Sequence, residues 1–85
     1  MASYNLFICR SAEKEMLAAP KADRHRILDR IRRLAQNPRP RGCEKLKGDT
    51  AYRVRQGSYR IVYTVDDRNL TISIDKIGHR REVYR

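Results

Sequence analysis

The sequence predicts an α+β domain of order strand, helix, helix, strand, strand, strand (β-α-α-β-β-β), with two N-terminal-half helices packed on one face of a small, mainly antiparallel four-stranded sheet. Three observations lead there. Residues 21 to 36 place Ile27, Leu28, Ile31, Leu34 and Ala35 at helical spacing. Residues 52 to 63 alternate apolar and polar side chains about a glycine, the pattern of a β-hairpin. Alternation resumes from Leu70 to Ile77, after the turn-forming run Asp66-Asp67-Arg68-Asn69. At 85 residues the chain supports a single domain, 1–85, with one small core.

Each element has a local reason. Residues 3 to 9, Ser-Tyr-Asn-Leu-Phe-Ile-Cys, are rich in strand formers and alternate loosely, which predicts a first strand. Ser11 is a good N-cap for a short helix through Ala18, with Glu13 and Glu15 near its positive end. Pro20 closes that helix and can open the next. The second helix carries Arg24, His25, Arg26, Arg30, Arg32 and Arg33 around its polar surface and stops at Asn37-Pro38. Arg39-Pro40-Arg41-Gly42 is a stiff, charged loop, and Glu44-Lys45-Leu46-Lys47-Gly48 leads into the hairpin. Pairing Val65 with Leu70 would extend the apolar face with Ile72 and Ile74 and set Asp75 opposite Arg60.

The hairpin carries the chemistry. Tyr52, Val54, Tyr59, Ile61 and Tyr63 share one face, and Arg53, Arg55 and Arg60 share the other. A Gln56-Gly57 turn sets Arg53 opposite Arg60, whereas a Gly57-Ser58 turn sets Arg55 opposite Arg60; the faces are the same either way. Like charges facing each other across strands are unfavourable, so three arginines gathered this way imply an anionic partner, nucleic-acid phosphate first. Arg60 could instead pair simply with Asp75.

Charge points the same way. The chain has 20 Lys and Arg against 10 Asp and Glu, a net charge of +10. Residues 1–20 balance, residues 21–41 carry eight positive and two negative groups, and residues 42–85 carry ten and six. A basic surface on the middle and C-terminal parts suits a polyanion. No run approaches the roughly 20 apolar residues of a membrane span, and no signal-peptide pattern opens the chain, so a cytoplasmic protein is expected. Cys9, His25, Cys43 and His79 lack metal-ligand spacing, so no metal and no cofactor is expected. Cys9 reads as a small core residue and Cys43 as a loop thiol. Gly78 permits a bend that would bring His79-Arg80-Arg81-Glu82-Val83-Tyr84-Arg85 over the arginine face, with His79 and Tyr84 able to position protons.

The ordered set Lys45-Leu46-Lys47-Gly48, Tyr52-Arg53-Val54-Arg55, Gly57-Ser58-Tyr59-Arg60-Ile61-Val62-Tyr63 and Ile77-Gly78-His79-Arg80-Arg81-Glu82-Val83-Tyr84 resembles the RelE branch of the RelE/ParE toxins. Leu34-Ala35-Gln36-Asn37-Pro38-Arg39-Pro40 is similar to the helix end and loop of that family, and the likeness spans nearly the whole chain. The resemblance implies a toxin of a type II toxin-antitoxin pair that cuts mRNA in the ribosomal A site and is held by a cognate antitoxin in a hetero-oligomer. It implies an RNA site lined by Arg53, Arg55, Lys45, Lys47 and Arg81. It implies that Arg60 steadies the scissile phosphate, that Arg80 lies near the leaving group, and that Tyr84 orients the nucleotide. The implied reaction is metal-independent attack of the 2′-oxygen on the adjacent phosphate, giving a 2′,3′-cyclic phosphate and a free 5′-hydroxyl.

Fixed guanidinium donors suit the charge of such a transition state. They are poor proton carriers, since arginine titrates above about 12 and tyrosine near 10. The family often has lysines where this chain has Arg53 and Arg55, which leaves His79 as a candidate acid or base. Two other readings remain open: a ParE-like DNA gyrase poison, and a basic RNA-binding protein without catalysis.

Overall fold

A computed structural model describes residues 3–46, 48 and 50–79. The order is β1 (Asn5–Ile8), α1 (Arg10–Ala18), α2 (Lys21–Leu34), β2 (Glu44–Lys45), β3 (Ala51–Gln56), β4 (Tyr59–Asp66) and β5 (Thr71–His79). The sheet has five strands rather than four, in the order β1-β5-β4-β3-β2. The added strand, β2, is two residues long, too short to show any alternation. It exists through its partner, with Glu44 opposite Arg53 and Lys45 opposite Tyr52. Among the described strands only β1 runs parallel to its neighbour, pairing Asn5 with Thr71 and Ile8 with Ile74.

Both helices cover one face of this sheet. α1 buries Ala12 and Met16, four residues apart, and α2 buries Ile27, Ile31 and Leu34. They meet Val54, Ile61, Tyr63, Val65, Ile72, Ile74 and Ile77 in one core, where each fully buried branched side chain contributes about 1.5–3 kcal/mol. Ser11 is not the cap of α1. Cys9 holds that place with its carbonyl accepting from Glu13 N–H, because the chain turns directly out of β1. α2 has Asp23 in its first turn and Arg32 and Arg33 in its last, in keeping with the helix dipole. It ends at Leu34, a little before the expected Gln36.

The hairpin turn is Gly57-Ser58, since Arg55 pairs with Arg60 and Gln56 with Tyr59. Gly57 has φ +62° while Ser58 stays out of the left-handed region, as a type II′ turn requires. The next ladder differs from expectation. Val65 pairs with Ile72, not Leu70, and Val62 pairs with Lys76 while Tyr63 pairs with Ile74. Asp75 is therefore the extra residue of a β-bulge. The bulge lets Ile74 and Ile77, three apart, both enter the core, which strict alternation forbids. It also removes Asp75 from Arg60, whose partner across the ladder is Gly78. Gly78 continues β5 rather than bending it, and it is buried.

The loop after α2 is tied down from below and from the side. Tyr63 Oη donates to the Pro38 carbonyl at 2.6 Å within the core. Arg39 Nε donates to Tyr52 Oη at 2.9 Å, and its two terminal nitrogens reach Asp67 at 3.2 and 2.8 Å. Tyr4 Oη donates to the same carboxylate at 2.6 Å. Burial pushes the Tyr63 phenol well above its ordinary range, and the Arg39 hydrogen bonds hold Asp67 below the usual carboxylate range.

Candidate nucleic-acid interface

Alternation along β3 and β4 puts Arg53, Arg55 and Arg60 on the face away from the helices. Arg55 and Arg60 lie directly opposite each other. Arg60 is on an interior strand and only 6% exposed, whereas Arg55 is exposed. Arg53 is half-buried and bound to Glu44, which accepts from its Nε at 3.2 Å and its Nη2 at 2.7 Å. Those hydrogen bonds hold Glu44 below its ordinary value, and the charges of Arg55 and Arg60 lower it further. All three guanidinium groups thus act on one carboxylate, which occupies the place of an anion beside them.

The structure brings together Arg53, Arg55 and Arg60, but not every expected residue. Lys45 is opposite Tyr52 and so faces away from Arg53 on the edge strand. His79 is opposite Tyr59 and packs edge-on against it at 5.7 Å between ring centroids. By alternation from Ile77 that is the helix side of the sheet, opposite to the face that carries Arg60. Lys47, Arg80, Arg81 and Tyr84 lie outside the described residues.

Two features of the open face differ from expectation. Glu44 is one, because a two-residue strand carries no periodic signal. Asp75 is the other: it accepts from Thr64 Oγ1, and from Ser73 Oγ at 2.8 Å, with Cys9 Sγ 3.7 Å away. Its signal was present in the three-residue spacing of Ile74 and Ile77, the mark of a bulge. Cys9 packs against the core while its sulfur reaches this polar row, and both it and Cys43 are free thiols. Among the described residues no group of ligating side chains is placed to hold a metal ion, and no helix is long and apolar enough to cross a membrane.

The described fold is thus a two-helix layer on a small sheet whose open face bears an arginine cluster. The family model described as ParE toxin of type II toxin-antitoxin system, parDE, matches residues 7–84. The RelE1 protein of Methanocaldococcus jannaschii is 34% identical over 88 residues, covering 96% of each chain. Among solved structures, the archaeal RelE–RelB complex from Pyrococcus horikoshii superposes with a TM-score of 0.80 at 31% identity, covering 92% of this chain and 96% of that one. The isolated E. coli RelE toxin gives a TM-score of 0.79 at 26% identity, covering 96% and 92%. The chain belongs to the ParE-toxin family of type II toxin-antitoxin systems, and its full-length relatives are RelE toxins.

Proposed function

We propose that this toxin is a ribosome-dependent endoribonuclease that acts in the cytoplasm on mRNA in the ribosomal A site and is neutralised by a cognate antitoxin. The observation that carries the reading is Arg60, held on an interior strand directly across from Arg55, with Arg53 two residues further along the same face. Rigid strands fix the guanidinium forks, which suits bidentate phosphate contact. In the reaction the 2′-oxygen forms a bond to phosphorus, the bond from phosphorus to the 5′-oxygen breaks, the 2′-hydroxyl proton is lost and the 5′-oxygen gains one. Arg60 and Arg55 supply positive charge to the phosphorane. Arg80 near the leaving group and Tyr84 at the nucleotide complete the reading, on the strength of the family motif.

The groups this reading assigns to the site, arginines and a tyrosine, are poor proton carriers near neutral pH. Much of the acceleration must then come from holding the RNA in line, where effective molarities of about 10⁵ M and more are available. An RNA already oriented by a ribosome meets that need. Purified toxin is expected to cut mRNA on a programmed ribosome with an empty A site and to leave the same naked RNA nearly intact. Equal cutting of both overturns the dependence.

The ParE description of the family favours a second reading, a gyrase poison without nuclease activity. Induction in cells separates the two: cleaved translated mRNA supports the first, and damaged supercoiled DNA with intact mRNA supports the second.

A further inference from the structure

Phe7 is 66% exposed, the most exposed large apolar side chain among the described residues. It lies on β1, opposite Ser73, on the same open face as the arginines. Its described neighbours on that face are Asn5, Cys9, Thr71 and Ser73, so among the described residues no apolar patch surrounds it. A lone aromatic on a flat polar surface is a poor protein-docking site, which needs contiguous apolar area at its centre. It is a good platform for a base, because stacking uses only the ring face and tolerates polar surroundings.

Between Phe7 and Arg60 run the polar groups Ser73, Asp75 and Thr64, followed by Val62 and Lys76, which pair across the ladder next to Arg60. Two strand spacings and four residues of rise separate the ring from Arg60, roughly 16 Å. A carboxylate in that row repels phosphate, so a strand crossing it must turn its backbone away and present hydrogen-bond donors. Sugar 2′-hydroxyls and base amino groups are such donors. Asp75 has acceptor capacity left, since a carboxylate offers about four lone-pair sites and three donors approach it here.

We infer that the open sheet face continues the RNA site from the arginine cluster to β1, with Phe7 stacking an unpaired base that flanks the cut and Asp75 accepting a hydrogen bond from the nucleotide between. The occupant is single-stranded RNA, chosen because the face is continuous with three arginines on a chain of net charge +10. This rests on the nuclease reading, and Phe7 is a positioning residue in it.

The test compares wild type, Phe7→Leu and Phe7→Tyr on programmed ribosomes. One mRNA is intact, and a second set carries single abasic residues at successive positions flanking the cut. On intact mRNA, Phe7→Leu is expected to raise KM about tenfold with kcat within about twofold, and Phe7→Tyr to restore wild-type KM. At one flanking position the abasic mRNA should weaken wild type to the level of Phe7→Leu and leave the Leu variant unchanged. If Phe7→Leu cuts as wild type does, the inference is overturned and the nuclease reading stands. A loss equal on intact and all abasic substrates also overturns it, as does weakened antitoxin binding with unchanged cleavage, which makes the face a protein surface. If wild type cuts nothing on the ribosome, both readings fall together.

Discussion

Glu44 and Arg53 stand opposite each other across β2 and β3, and the carboxylate takes two hydrogen bonds from the guanidinium. A phosphate arriving at Arg53 must displace this internal anion. Glu44→Gln is therefore expected to tighten binding to single-stranded RNA and to steepen its salt dependence by about one phosphate contact. A salt series followed by fluorescence anisotropy measures both. Unchanged affinity and slope place Arg53 outside the RNA path.

Arg60→Ala is expected to lower ribosome-bound cleavage by about a hundred- to a thousandfold, the usual effect of removing one donor from a developing oxyanion. Arg60→Lys keeps the charge but not the planar fork, and should recover only part of the loss. Circular dichroism and antitoxin binding should stay close to wild type in both. Wild-type cleavage by Arg60→Ala ends the assignment.

Most of the architecture was legible from periodicity. α2 announced itself through Ile27, Ile31 and Leu34 at helical spacing, and the β3–β4 hairpin through strict alternation about Gly57. Those patterns also fixed which arginines share a face, because a two-residue period leaves only two faces to choose from. The turn itself was not settled, since Gln56-Gly57 and Gly57-Ser58 give the same faces and differ only in partners. β2 was invisible because two residues have no period. Asp75 was misplaced because a bulge shifts register without changing composition, and His79 inherited the opposite face from the same shift.

Tyr63→Phe removes the donor that satisfies the Pro38 carbonyl inside the core. The expected cost is about 1–2 kcal/mol, a fall of about 4–16 °C in Tm for a domain of this size. Thermal unfolding of the two proteins at neutral pH checks it.

Stability should hold a plateau between mildly acidic and mildly basic pH. Asp67 is lowered mainly by the hydrogen bond from Arg39, and Glu44 by that from Arg53. Groups depressed in the folded state contribute above their unfolded values of about 4, and the contribution disappears as pH falls through the folded values. Tyr63 is raised by burial, so its contribution is complete below about 10 and declines as pH rises beyond that. Denaturant midpoints across pH should show both shoulders, with Asp67→Asn flattening part of the acidic one and Tyr63→Phe the basic one.

Leu70 occupies φ +50°, a left-handed conformation that costs an ordinary L-residue about 1–2 kcal/mol. The residue is 37% exposed, so its side chain is only partly packed. Leu70→Asn is expected to raise stability by about 0.5–1 kcal/mol, read as a higher urea midpoint at unchanged slope.

β1 precedes the other described strands and, among the described residues, pairs only with β5, where Asn5 meets Thr71. During synthesis Leu6, Phe7 and Ile8 must therefore wait, unpaired, until nearly every other described residue has been added. α1 waits with them, since it packs against β5. Such distant pairing makes closure of the sheet a late event, and a nascent chain stalled before Thr71 should be open to protease along its whole exposed length. The fold of this toxin is therefore completed only once its last described strand has been made.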